Sequence, residues 1–303
     1  MAEPRLGVAI VTMGNRPDDL LALLASVRAQ HGEPVRTVVV GNGCDPADLG
    51  GLGDLGDFGD FGEGVETVAL ETNTGVSGGR NACWEALRRH EDVDVVVDLD
   101  DDGLLPDPDT FARLRKILAA DPRTGIVGFR IADETGHTQR RHVPRLRASD
   151  PMKAGEVTTF LGGGHAIHRE VFEQVGDWPT EFFYGHEETD LAWRAIDAGW
   201  RVRYEPELLL QHPRTSPARH AMYFRMVARN RVWLARRHLP ALLVPVYLGV
   251  WTVLTLVRRP PLSGLKAWAA GFVEGVRTPC GRRKPIRWAT VWRLTRLGRP
   301  PIV

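Results

Sequence analysis

Acidic residues almost disappear from the end of this sequence. From residue 213 onward there is one acid, Glu274, against 18 lysines and arginines. The whole chain nets only +1, so the +17 of this tail is balanced by −16 on the first 212 residues. Two electrostatic halves of this kind invite an anionic partner for the basic one. Nucleic acid would satisfy the charge, but no nucleic-acid module is recognisable, so none is expected. Cysteine is also scarce. Cys44, Cys83 and Cys280 lie far apart, which excludes a disulfide framework and points to a reducing compartment. The ten histidines show no zinc spacing. A charged flank followed by a long apolar stretch is missing from MAEPRLGVAIV, so an intracellular protein is expected.

Long hydrophobic runs are limited to one, ALLVPVYLGVWTVLTLV (241–257). Its 17 uncharged residues fall short of the roughly 20 a spanning helix needs, and Pro245 and Gly249 weaken it further. RWATVWRLTRLGR (287–299) alternates Trp and Leu with Arg, as an interfacial amphipathic helix does. The expectation is a membrane-associating region over 239–303, peripheral on an anionic surface at the inner face of the plasma membrane. A helix packed on the preceding domain is the alternative.

What remains is an ordinary globular composition, 43% hydrophobic and 25% charged over 303 residues. That is enough for one large domain or two modest ones. Short β-branched runs, GVAIVT (7–12), RTVVVGN (36–42), VETVALE (65–71) and VDVVVDLD (93–100), alternate with helical patterns over 16–30 and 79–90. Such alternation predicts an α/β fold with a mostly parallel sheet whose ligands bind beyond the carboxyl ends of the strands. Residues 49–64, with repeated Gly-Asp-Leu/Phe, read as a surface loop. EETDLAWRAIDAG (187–199) reads as a helix with a glycine stop, RVRYEPELLLQH (201–212) as a strand, and 216–238 as a long helix.

Four aspartates crowd into DLDDD, at 98 and 100–102, followed by Gly103. The D-x-D-x-D-G spacing opens an EF-hand calcium loop, but such a loop sits between helices and closes on a glutamate at its twelfth position. Here the preceding residues form a strand, the twelfth position is Asp109, and Pro106 and Pro108 intervene. A strand ending in carboxylates instead sets Asp100 and Asp102 at the ligand edge, as hard oxygen donors for Mg²⁺ or Mn²⁺ on a phosphorylated substrate. Asp98, inside the strand, is expected to be idle.

Taken with AIVTMGNRP (9–17), VVVGNGCD (38–45), NTGVSGGRN (73–81) and FFYGHEETDLAWR (182–194), DLDDD resembles the motif series of family 2 glycosyltransferases of the GT-A fold, in their bacterial, rhamnosyltransferase-like branch. The resemblance covers roughly residues 5–235. It implies a GT-A catalytic domain over 1–238, Rossmann-like and flanked by helices, with a basic helical C-terminal extension. It further implies an inverting transfer of a sugar from a nucleoside-diphosphate donor to an acceptor hydroxyl, with Mn²⁺ or Mg²⁺ as cofactor; the basic, aromatic tail points to a lipid-linked or cell-envelope acceptor.

Residue by residue, the resemblance assigns nucleotide-sugar contacts to Thr12, Asn15, Arg16, Asn42, Asn73, Gly78, Arg80, Asp100 and Asp101. Metal ligation falls to Asp100, Asp102 and His212. The catalytic base would be Glu188, the second acid of its pair, with Glu187 as the alternative; Asp190 and Arg194 make a structural pair one turn apart. The glycines of 73–81 suit close approach of backbone to ligand, with Arg80 at the helix start meeting a diphosphate or base. Arg140, Arg141, Arg145 and Arg147 are either a lid closing on phosphates or a solvated basic loop. Two departures stand out: Gly41 replaces the usual aspartate of the second motif, and TMGNRP carries an extra residue. A nucleotidyltransferase, or an idle sugar-nucleotide-binding protein, is the competing reading. The first would want a glycine-rich basic loop right after the first strand, where TMGNRP offers only Gly14 and Arg16.

Overall fold

The computed structural model describes residues 3–46, 65–146, 150–214 and 221–303. The expected loop at 49–64, Arg147 and the first residues of the 216–238 helix fall outside the described residues. Strands β1 (Leu6–Thr12), β2 (Arg36–Asn42), β3 (Val65–Leu70) and β4 (Val95–Asp100) are the four β-branched runs of the sequence. They lie parallel, with β1 between β2 and β4. The sheet continues with β5 (Thr124–Ala132), β6 (Gly155–Glu156), β7 (Gly164–His168) and β8 (Arg201–Gln211), in the order β3-β2-β1-β4-β7-β5-β8-β6. Strand β7 runs antiparallel to both β4 and β5, and β8 runs parallel to β5. The carboxyl ends of β1, β2, β4, β5 and β8 therefore share one edge.

Helices cover both faces because the strands are apolar on both. One face packs on α1 (Pro17–Arg28) and α3 (Thr110–Ala120), whose Leu20, Leu23, Phe111 and Leu114 meet Val97 and Leu99. The other packs on α2 (Gly75–Leu87), α4 (Arg169–Val175) and α5 (Glu187–Ala198), and here lie Val96, Trp84, Phe172 and Leu191. By the period of two, Asp98 and Asp100 point to this second face.

Four more helices end the described chain: α6 (Ala221–His238), α7 (Leu243–Val257), α8 (Leu262–Arg277) and α9 (Trp288–Arg296). Helix α8 lies close against α6, since Gly271 and Gly275 face the carbonyls of Arg225 and Arg229. A Cβ at 271 would stand 2.0 Å from the Arg225 oxygen. Glu274, the tail's lone acid, is used internally: Arg225 and Arg229 donate to it at 2.8 and 3.3 Å. Helix α9 buries Val291 and Leu294, its Arg293 Nε donates to Glu156 at 3.1 Å, and Trp288 and Trp292 stay exposed. No helix among the described residues is long and apolar enough to cross a membrane.

Candidate active site

Asp100, the last residue of β4, is anchored by its N–H to the Gly163 carbonyl at 3.0 Å. The chain then turns, and Leu104 exchanges two backbone hydrogen bonds with Gln211 at the end of β8, at 2.8 and 2.9 Å. That clamp sets His212 beside the aspartates. His212 Nε2 is 3.0 Å from Asp102 Oδ1 and 3.9 Å from Asp100 Oδ2. One donor atom from each of the three residues lies within 4.8 Å of the others. The opposite nitrogen of His212, Nδ1, faces the Pro213 carbonyl at 2.9 Å, so it carries the proton and leaves Nε2 toward the carboxylates.

Charge is balanced locally. The hydrogen bond that His212 Nε2 donates to Asp102, stronger than the burial that opposes it, raises the His212 pKa to about 9. Burial works against the Asp102 charge, but His212 and Arg16 hold its carboxyl below the usual range. Arg16 pairs with Asp102 directly. A metal entering this cluster would displace a proton from His212 and take over the role of Arg16. Two carboxylates and an imidazole are a fitting donor set for Mn²⁺ or Mg²⁺.

Asp98 is not idle. It is buried, and Arg80 Nε donates to its Oδ1 at 3.1 Å. Burial raises the Asp98 pKa to about 6 even with Arg80 opposing. Asp98 sits on the helix-covered face of a buried strand, where a lone carboxylate needs a cation. Arg80 also departs from expectation. Helix α2 begins at Gly75, so Arg80 lies in its second turn and is sealed in the protein, with its Cζ 4.9 Å over Trp178 and Nη2 donating to the Gly162 carbonyl at 2.7 Å. Burial opposes its charge, and Asp98, Glu188, Asp100 and Glu187 outweigh that, so it stays a fixed cation. It stands beneath the crevice instead of at a helix tip.

The glycine-rich segment is helix, not turn. Asn42 accepts from the N–H of Thr74 at 2.8 Å and donates to the Gly75 carbonyl at 2.9 Å, and Asn73 accepts from the Gly75 N–H at 2.8 Å. Asn42 and Asn73 thus spend their amides on starting α2. Its glycines serve close packing: a Cβ at Gly75 would meet the Phe183 carbonyl at 2.4 Å, one at Gly78 the Thr74 hydroxyl at 2.3 Å, and one at Gly79 Val11 at 2.5 Å. Thr12 is buried, and its hydroxyl donates to Asp101 Oδ2 at 2.6 Å. Burial raises the Asp101 pKa despite this bond. The exposed members of the nucleotide set are Asn15 and Arg16, on the loop after β1, and Asn73 before α2, with Asp100 half-buried at the edge. Arg145 donates to the carbonyl of Lys153 and lies over Tyr204, so this member of the basic loop is a strut.

Across the crevice stand Glu187 and Glu188, in the first turn of α5. Glu188 Oε1 is 3.8 Å from Arg80 Nη1, and the two glycines before β7 explain its place. A Cβ at Gly162 would lie 2.5 Å from Glu188 Oε1, and one at Gly163 would lie 3.1 Å from Asp100 Oδ2. The two carboxylates thus flank one glycine step. Glu187 is 2% exposed, and its Oε2 has no hydrogen-bond partner. Burial first, and Glu188 next, raise its pKa and keep it a neutral acid. Burial also raises Glu188, with Arg80 opposing.

Sequence reasoning missed the brace behind these acids. Phe183 and His186 take left-handed backbone, and Asn230 on α6 donates to the carbonyls of Phe182, Tyr184 and Gly185 at 2.8–2.9 Å. Asp190 does pair with Arg194 at 2.8 Å, and also with His238 at 2.5 Å. Burial works against the Asp190 charge, but His238, Arg194 and Arg237 hold its carboxyl well below the usual range. A polar Asn amid the helical pattern of 221–238 was the one available signal.

Residues 8–176 match the description "Glycosyl transferase family 2". The chain belongs to that family. A comparison with curated proteins gave no match. Among solved structures, GalNAc-T7 with UDP, GalNAc and Mn²⁺ superposes with a TM-score of 0.63 at 14% identity, over 81% of this chain and 49% of that one. This chain therefore spans about half the length of GalNAc-T7. A mannosyltransferase from Pyrobaculum calidifontis, PcManGT, in complex with GDP-Man and Mn²⁺, gives 0.59 at 19% identity over 98% of this chain and 74% of that one. S. aureus TarS 1–349 with UDP-GlcNAc gives 0.61 at 14% identity over 90% and 81%. These likenesses are of fold, and the fold is GT-A. The matched family segment stops before Glu187, Glu188 and His212, which belong to the following elements.

Proposed function

We propose that this family 2 glycosyltransferase is a metal-dependent inverting enzyme that moves a sugar from a nucleoside-diphosphate donor to an acceptor hydroxyl. One observation carries the proposal: a three-residue donor cluster and Glu188 face the same crevice, separated by the width of the Gly162–Gly163 step. The nucleotide lies along the exposed loop of Asn15 and Arg16, with Asp100 and Asp101 below it. Asp100, Asp102 and His212 hold Mn²⁺ or Mg²⁺. When bound, the metal offsets the charge that builds on the departing diphosphate. Complexes of GalNAc-T7 and PcManGT with Mn²⁺, and of TarS with UDP-GlcNAc, support the donor class and the metal.

Glu188 is the base. Its carboxylate takes the proton of the acceptor hydroxyl while that oxygen bonds to the anomeric carbon, and the carbon–oxygen bond to the diphosphate breaks with its electron pair. Arg80 favours the ionised form of Glu188 against burial, and Asp98 keeps Arg80 in place. Glu187, already neutral, positions the turn. The catalytic domain runs over 1–238. The 239–303 region, with exposed Val253, Leu256, Val257, Trp288 and Trp292 amid basic residues, rests on an anionic membrane at its cytoplasmic side, where a lipid-linked or cell-envelope acceptor is presented.

The test is product analysis with a panel of nucleotide sugars and Mn²⁺. Nucleoside diphosphate release with inversion at the anomeric carbon is expected. Pyrophosphate release would establish nucleotidyl transfer instead, and a retained anomer would overturn the single displacement. For the membrane, the full chain should sediment with anionic vesicles and a 1–238 fragment should not.

A further inference from the structure

A second cleft lies behind α5 on the side of the C-terminal helices. Its walls come from Thr159, from His186 and Thr189 in the turn that carries Glu187 and Glu188, from Arg231 on α6, from Trp251 on α7, and from Arg299. The cations here lack acidic side-chain partners, although Arg231 donates to the Tyr247 phenol. Among the described residues neither Arg231 nor Arg299 makes an ion pair with an acidic side chain, and Tyr247 is the main group favouring the charge of either. Arg231 stacks on Trp251 with its Cζ 3.6 Å from the ring centroid, and Arg258 approaches the same ring at 5.7 Å. Burial, with Arg258 and Arg299 nearby, brings the Arg231 pKa down to about 10, so it remains charged at neutral pH.

Hydrogen-bond donors are also left over. Arg231 Nε, Trp251 Nε1 and His186 Nε2 are buried without an acceptor. His186 is held neutral by burial and by the same two arginines, so its Nε2 can carry a proton to donate. Water could satisfy such donors but cannot neutralise two half-buried guanidinium groups, whose unpaired charge carries a desolvation cost. A group with several acceptor oxygens and negative charge meets both demands, and arginine forks match phosphate geometry.

We propose that this cleft is a binding site for a phosphate group, distinct from the donor crevice. Helix α7 suggests the rest of the ligand. It turns Tyr247 and Trp251 toward the cleft and leaves Val253, Leu256 and Val257 exposed beyond it, so the phosphate of an amphiphile could seat its head in the cleft and its chain along α7. Free phosphate shares the head chemistry.

The test is calorimetric titration of the full chain, without donor or metal, so that it is independent of turnover. Inorganic phosphate, dioctanoyl phosphatidic acid below its micelle concentration, and neutral dioctanoylglycerol are compared at constant ionic strength. Saturable binding of either phosphate compound supports the site, provided it weakens at least tenfold in Arg299→Gln. A phosphatidic acid affinity above that of inorganic phosphate assigns the site to a lipid headgroup, and equal affinities assign it to free phosphate. Arg231→Gln should give the same loss. Because Arg231 also packs on Trp251, Arg299→Gln with a wild-type circular dichroism spectrum is the deciding variant. No binding, or unchanged binding in a folded Arg299→Gln, overturns the proposal.

Discussion

Arg80 Nε donates to Asp98 Oδ1 at 3.1 Å, and the two side chains are among the most deeply buried charged groups of the protein. Removing one partner of such a pair strands the other charge. Asp98→Ala should cost about 3–5 kcal/mol in urea denaturation. Asp98→Asn, which keeps an acceptor for Arg80, should cost less. Equal stability of Asp98→Ala and wild type would show that the pair is not what holds Arg80.

The two glutamates should separate cleanly. Glu188→Gln should lower kcat by roughly 10²–10⁴-fold, the usual contribution of a positioned base. Glu187→Gln should leave most activity, because an amide replaces an already neutral acid. Near-normal turnover in Glu188→Gln would remove the base assignment.

Glu187 also predicts a pH slope. Its folded pKa lies above the ordinary glutamate value because of burial and Glu188, so the native state holds a proton that the unfolded chain releases. Stability therefore falls as pH climbs past the ordinary glutamate range and is fullest below it. Glu187→Gln should flatten that part of a stability-versus-pH profile, measured by denaturant midpoint.

Metal binding should compete with a proton. With the His212 pKa at about 9, apparent Mn²⁺ affinity should rise about tenfold per pH unit between pH 6.5 and 8. Calorimetry in buffers of different ionisation enthalpy should count about one proton released per Mn²⁺ bound, by the same linkage. His212→Ala should weaken binding and lose the slope.

At Gly271 the ordinary helix ranking should reverse. Alanine is normally about 1 kcal/mol better than glycine inside a helix. Here its Cβ would stand 2.0 Å from the Arg225 carbonyl oxygen, and overpacking of this kind costs about 1–3 kcal/mol. Gly271→Ala should therefore lower thermal stability, while Gly249→Ala, with open space around its site on α7, should not.

The parallel half of the sheet was legible because β-branched runs announce buried strands, and DLDDD was legible because charge at the end of such a run must face a ligand edge. Asp98 was misread for the opposite reason. A strand shows its period in sequence but not the helix laid over it, and only α2 reveals that Asp98 answers Arg80. Asn42, Asn73 and the glycines of α2 carried the right letters, yet their side chains or missing Cβ atoms are used on the protein itself. The left-handed backbone at His186 had no local signal, because its support, the polar Asn230 in a helical pattern, lies 44 residues on.

The hydrogen-bonded exchange between Leu104 and Gln211 has a consequence for the order in which this enzyme comes into being. A nascent chain that has emerged only to residue 176 holds the family-matched segment, with its aspartates, but neither Glu188 nor His212. Its ligand edge is an acidic lip with no histidine and no base. The crevice is completed by a closure across more than a hundred residues, and contacts that distant in sequence form slowly. Catalytic competence should thus be the last property this chain acquires during synthesis, appearing only when β8 docks and α6 braces the turn behind the acids.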